Sequence, residues 1–180
     1  MTTSSMYTRS LFALFAALLA LSGCTSQGGA TSGGVGVIGQ SHQAYKEAWN
    51  RHDVGAVVAQ YGSGGTLDNP SAGKVAGEAL GQWVGALFTA IPDFHVDTVS
   101  TNVAGDTLTE EWVIKGTWTQ PFPGGPLAGA KPTGKSFVVP GAGFYRYSGG
   151  KIVDGRHYFD QMSFLTQLGV IPPPQQASAQ

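Results

Sequence analysis

With 180 residues, 42% of them hydrophobic, the chain has enough apolar material for one domain built on one core. Ten Lys plus Arg against eleven Asp plus Glu exclude a phosphate-tracking basic surface, and no basic patch is interleaved with aromatics, so nucleic acid is not expected as a partner. A single cysteine excludes a disulfide framework.

The chain opens MTTSSMYTRS, with Arg9 its lone positive charge, and continues LFALFAALLALSGC. An apolar run over residues 11–21 is too short to cross a bilayer, which takes roughly 20 residues, and it has the layout of an export signal over residues 1–23. Leu21, Ser22, Gly23 and Cys24 resemble a bacterial lipobox. That resemblance implies a lipid on the Cys24 thiol, anchoring to the membrane, and a place in the cell envelope. The site would be the periplasmic face of the outer membrane in a Gram-negative organism, and otherwise the outer face of the cell membrane. Residues 24–40 then read as a flexible Gly/Ser tether, residues 41–170 as the domain and residues 171–180 as a disordered tail.

Within the domain, SHQAYKEAWNRHD predicts a helix capped by Ser41, with Tyr45, Ala48, Trp49 and His52 near one face. Asp53 is expected to cap a second short helix, VGAVVAQY, that includes Tyr61. After the turn-rich DNPSAGK, the spacing of Leu80, Trp83, Val84, Leu87, Phe88 and Ile91 predicts a third helix, ended by Pro92. The period then changes to that of strands: FHVDTVSTNVAGD and TLTEEWVIKGTWTQ around Gly105, then, after a long connection, SFVVPGAGFYRYS and KIVDGRHYFDQ around Gly149 and Gly150. MSFLTQLG closes with a short helix stopped by Gly169.

Helices followed by antiparallel strands predict an α+β domain with helices on one face of a curved sheet, leaving a pocket for a small hydrophobic molecule. Strand parity puts Trp112 with Ile114, and Tyr158 with Asp160 opposite His157 and Phe159. His42, His52 and His95 lack the spacing of a metal site, and none is expected.

Seven stretches carry a resemblance in order: WNRHD, IPDFHV, AGD, GTWTQ, KPTGK, GFYRYSGGKIVD and YFDQMSFLTQLG, together covering the chain from Tyr45 to Gly169. They resemble the SnoaL-like polyketide cyclase and ester cyclase branch of the nuclear transport factor 2-like superfamily. The resemblance implies a cone: a strongly curved, mostly antiparallel sheet closed by the N-terminal helices, frequently in homodimers. It also implies acid/base chemistry by an aspartate, without a cofactor, on a small hydrophobic carbonyl compound. That role would fall on Asp160, with His157 and Arg146 as further catalytic candidates. Trp118 and Glu111 depart from the family, which commonly carries histidine and arginine there.

Asp160 has two readings. Desolvated in a pocket it would be an acid and base near neutral pH, whereas as the cap of the closing helix its carboxylate would be held ionised. Trp49, Tyr61, Trp83, Trp112, Trp118, Phe137 and Tyr158 are the expected pocket wall. The rival function is a non-catalytic envelope lipoprotein that holds an apolar ligand unchanged.

Overall fold

A computed structural model describes residues 32–172. The expected export signal, Cys24, the first part of the Gly/Ser segment and the tail from residue 173 lie outside the described residues. Among the described residues no helix is long and apolar enough to cross a membrane.

Helix α1 (Ser32–Asn50) begins well before the expected Ser41 cap, so residues 32–40, read as tether, are helical. Ile38, His42, Tyr45 and Trp49 recur at helical spacing and all four are buried. Asp53 caps α2 (Val54–Ala59), accepting a 2.8 Å bond from the Ala56 N–H. Where a helix end and a turn were expected, the chain forms strands β1 (Tyr61–Asn69) and β2 (Gly73–Ala76). Helix α3 (Gly77–Ala90) stops ahead of Pro92. Strands β3 (His95–Ala104) and β4 (Thr107–Thr117) turn on Gly105 at φ 62, and β5 (Ser136–Ser148) and β6 (Lys151–Phe159) turn on Gly149 and Gly150. Helix α4 (Gln161–Gln167) follows.

The strands form one six-stranded sheet in the order β2-β1-β6-β5-β4-β3. This topology overturns the expected cone. The sheet is mixed, with β1 parallel to β6 and the other neighbours antiparallel, and it ends on the free edges β2 and β3, neither closed nor strongly curved. The cause is β1. Its register against β6 breaks between Tyr61 and Thr66, where Gly65 lies so close to β6 that a Cβ would meet the Ile152 carbonyl at 2.5 Å. Only glycine lets the two backbones approach there, and the parallel pair extends the sheet outward instead of sealing it.

Helices α1, α2 and α3 lie on one face. Tyr45 and Trp49 of α1, Val57 of α2 and Leu80, Val84 and Phe88 of α3 share a core with Leu67, Leu108, Val139, Tyr145 and Ile152 of the sheet. Asn50 staples the end of α1 to β3, donating to the Val96 carbonyl at 3.0 Å and accepting from the Val96 N–H at 2.8 Å.

Two glycines of β5 shape the inner surface. A Cβ at Gly141 would overlap the Trp112 indole, and one at Gly143 would sit 2.5 Å from the Tyr145 hydroxyl. Both rings therefore lie across the sheet over missing side chains. Gly141→Ala must displace the buried Trp112 ring towards the interior space it borders, an overpacking cost of about 1–3 kcal/mol. Urea unfolding should show a lower midpoint with an unchanged slope.

Candidate functional site

Between the helices and the inner face of the sheet lies a cavity of about 270 Å³. Its wall is mostly apolar: Trp49 from α1, Trp83 and Leu87 from α3, Phe94, Trp112 and Ile114 from the sheet region, and Phe159 at the end of β6. The connection over residues 118–135 contributes Phe122 and Leu127, and α4 contributes Phe164 and Leu165. That connection is pinned at its base, where Trp118 and Gly134 exchange bonds with the neighbouring backbone (Trp118 N–H to the Lys135 carbonyl, 3.1 Å; Gly134 N–H to the Trp118 carbonyl, 2.9 Å).

The polar groups of the sheet form a row across this wall, while Lys46 of α1, Ser71 and Gln161 also reach the lining. Glu110 of β4 is opposite Gly143 of β5, and Gly143 is opposite His157 of β6. Adjacent strands are about 4.8 Å apart, so the two polar residues are rooted about 10 Å apart on either side of a glycine. Asn69, at the end of β1, adjoins His157, and the Tyr145 ring lies over Gly143.

Glu110 is 4% exposed. His42 Nε2–H donates to its Oε2 at 2.8 Å, the Thr98 hydroxyl donates to its Oε1 at 2.6 Å, and Lys46 Nζ lies 3.8 Å from Oε1. Burial works against its charge, but the bond and charge of His42, the Thr98 hydroxyl and Lys46 outweigh burial and hold the carboxyl below the ordinary glutamate range. Behind it, His42 Nδ1 shares a 2.8 Å hydrogen bond with the Tyr147 hydroxyl.

His157 behaves in the opposite sense. Its Nε2 is 2.9 Å from the Tyr145 hydroxyl and its Nδ1 is 3.3 Å from Asn69 Nδ2. Burial pulls its pKa down to about 4, although the Glu110 carboxylate pulls the other way, so the ring is neutral near pH 7. Burial likewise pushes the Tyr145 hydroxyl up, with Tyr45, Glu110 and Tyr147 adding to the shift, and it stays protonated. The cavity thus holds an ionised carboxylate with Lys46 beside it on one side and neutral donors on the other.

Of the three residues expected to be catalytic, only His157 lines the cavity. Asp160 is exposed and caps α4, accepting from the Ser163 N–H at 2.9 Å. The parity that paired it with Tyr158 was correct, but that face is the outer one. Tyr158 is 54% exposed against Phe144, and Arg146 is also exposed, alternating with the buried Tyr145 and Tyr147. Among the expected wall residues, Trp49, Trp83 and Trp112 line the cavity. Tyr61 sits on β1, its hydroxyl 2.9 Å from that of Tyr45. Trp118 is buried with its indole N–H donated to the Gln120 carbonyl, and Phe137 packs edge-on against Phe164. Sequence reasoning passed over Glu110, Tyr145 as a site group, and Asn69. Glu110 had a signal: its parity with Trp112 sets a carboxylate on an apolar face. Among the described residues no three His, Cys, Asp or Glu side chains gather as a metal site.

The model of the family described as SnoaL-like polyketide cyclase matches residues 40–168. No curated protein matches the chain in sequence. A protein of ketosteroid isomerase-like fold from Catenulispora acidiphila is 24% identical with a TM-score of 0.61, over 72% of this chain and 92% of that one. A candidate SnoaL-like polyketide cyclase from a Jannaschia species is 20% identical with a TM-score of 0.65, over 77% and 94%. An LEH-like epoxide hydrolase from M. tuberculosis is 15% identical with a TM-score of 0.58, over 75% and 91%. At these identities the likeness is one of fold.

The low pKa of His157 links stability to pH with a definite sign. An unfolded histidine takes up a proton below about 6.5, whereas the native ring resists until about 4. The stability it contributes is therefore complete above the unfolded value and is lost as pH falls from there towards the native one. The loss should be on the order of 1–3 kcal/mol, reduced because the ring is only partly buried. Urea unfolding at steps across this window should show a slope that His157→Gln flattens.

Proposed function

The chain belongs to the SnoaL-like polyketide cyclase family, and from that premise we propose that it catalyses proton transfer on a small apolar carbonyl compound, with Glu110 taking and returning the proton. The observation that carries this reading is a buried carboxylate, kept charged by His42 and Thr98, on the wall of an otherwise largely apolar cavity. Abstraction of a proton next to a carbonyl needs a base that is already ionised and held within reach. Glu110 meets the first need at any pH near neutrality, and its two hydrogen bonds fix its orientation.

Its lowered pKa has a further consequence. Protonation weakens the bonds to His42, so the acid form readily gives its proton up again, which suits a cycle of abstraction and return such as isomerisation or ring closure. Proton transfer of this kind is carried by side chains, and the proposal invokes neither a metal nor a nucleotide. A cavity of about 270 Å³ falls just below the usual range of ligand pockets, about 300–1,000 Å³, which favours a compact compound. We also propose that the chain is lipid-anchored through Cys24 at the cell envelope, on the strength of its LSGC motif.

The test is exchange of α-hydrogens for deuterium in a panel of small cyclic ketones. Glu110→Gln should slow the catalysed exchange by about 10²–10⁴-fold, the usual contribution of a general base, while Asp160→Asn leaves it unchanged. Exchange lost on Asp160→Asn but kept on Glu110→Gln would reverse the assignment. Ligand binding with no exchange in any form would make the chain a binding module.

A further inference from the structure

The Asn69 amide has one orientation that satisfies its neighbours. The Ser71 backbone N–H donates to Asn69 Oδ1 at 2.8 Å, which turns Nδ2, a donor only, towards His157 Nδ1 at 3.3 Å. Nδ1 must then accept. In a neutral ring that leaves the proton on Nε2, which donates to the Tyr145 oxygen at 2.9 Å. Since that bond uses the oxygen as acceptor, the hydroxyl proton of Tyr145 is free, and among the described residues His157 is the only hydrogen-bond partner of this hydroxyl.

We propose that Tyr145 is a catalytic hydrogen-bond donor to an oxyanion in the cavity, and that Asn69 and His157 are positioning residues that hold its proton available. This rests on the proton-transfer reading of Glu110 for its biological sense, but its geometry is independent of it. Tyr145 lines the cavity over Gly143, the glycine that separates Glu110 from His157. A carbonyl oxygen bound there would gain negative charge as its α-proton leaves, and a preoriented donor in a water-poor site stabilises that charge strongly. If the tautomer were reversed, Nε2 would accept the Tyr145 proton and the cavity would lose its donor. The relay is thus a chain of fixed polarity running from a backbone N–H to the substrate oxygen.

Two measurements on the full chain test it. Nitrogen-15 NMR of labelled histidine should show His157 as the neutral Nε2–H tautomer near pH 7, and Asn69→Leu should weaken that preference. A neutral Nδ1–H tautomer in the unaltered protein would overturn the relay. The second uses para-nitrophenolate as an enolate mimic and nitrobenzene as its neutral counterpart, in a Glu110→Gln background that imitates the protonated base. Adding Tyr145→Phe should weaken the phenolate at least tenfold and leave nitrobenzene within twofold. Equal loss of both probes would reduce Tyr145 to packing, and no loss, or no phenolate binding at all, would overturn the donor. Phenolate discrimination without exchange on any ketone would sink the base assignment of Glu110 and leave the donor standing.

Discussion

The site depends on two absent side chains. Strand β5 is long and buries one face, yet at Gly141 and Gly143 it presents only backbone to the interior, and the Trp112 and Tyr145 rings fill the space. Glycine in a strand weakens it and gives nothing to pack, so its usual structural meaning is close approach by another group. Here the group is an aromatic ring lying flat, which keeps the floor of the cavity shallow and carries the Tyr145 hydroxyl to the middle of the polar row. An alanine at either position would lift a ring into the volume a ligand needs.

That floor supports two polar environments of opposite character. Burial alone would neutralise both Glu110 and His157. Glu110 escapes because His42, Thr98 and Lys46 surround it with donors and positive charge, whereas His157 has no carboxylate bonded to it and meets only a tyrosine and an amide. The difference is one of immediate partners rather than depth. It gives a charged acceptor and an uncharged donor within one cavity.

How much of this was legible depended on whether the signal was local. Helix α3 and the two long hairpins were readable from the spacing of Leu80, Val84 and Phe88, from the β-branched runs and from the turn glycines. Strands β1 and β2 were not, because YGSGGTLDN has little strand propensity of its own and forms by pairing with β6, which is some 90 residues distant in sequence. The same omission hid the open, mixed sheet. Parity correctly separated Asp160 and Tyr158 from His157 and Phe159 but could not say which face was inside, and the resemblance directed attention to the outer pair. The alternative reading of Asp160 as a helix cap matches its hydrogen bond to Ser163.

The placement of the polar groups also bears on what kind of compound fits. In a carbonyl compound the oxygen and the α-carbon are only two bonds apart, while Glu110 and His157 are rooted on strands about 10 Å apart. Neither residue could serve both atoms, and together they would serve a substrate only if something bridged the gap. Tyr145 is that bridge, since its ring crosses Gly143 with the hydroxyl above the glycine and its oxygen tied back to His157. On the proposed reading the chemistry would concentrate at the Glu110 end of the row, with the imidazole acting through the tyrosine instead of on the ligand. With Trp49, Trp83 and Trp112 among the apolar lining, a carbonyl compound on this reading would place its oxygen at the floor and its apolar body against the indoles. Recognition by shape at one end and by a single oxygen at the other would require little of the substrate's periphery, which fits a cavity of about 270 Å³.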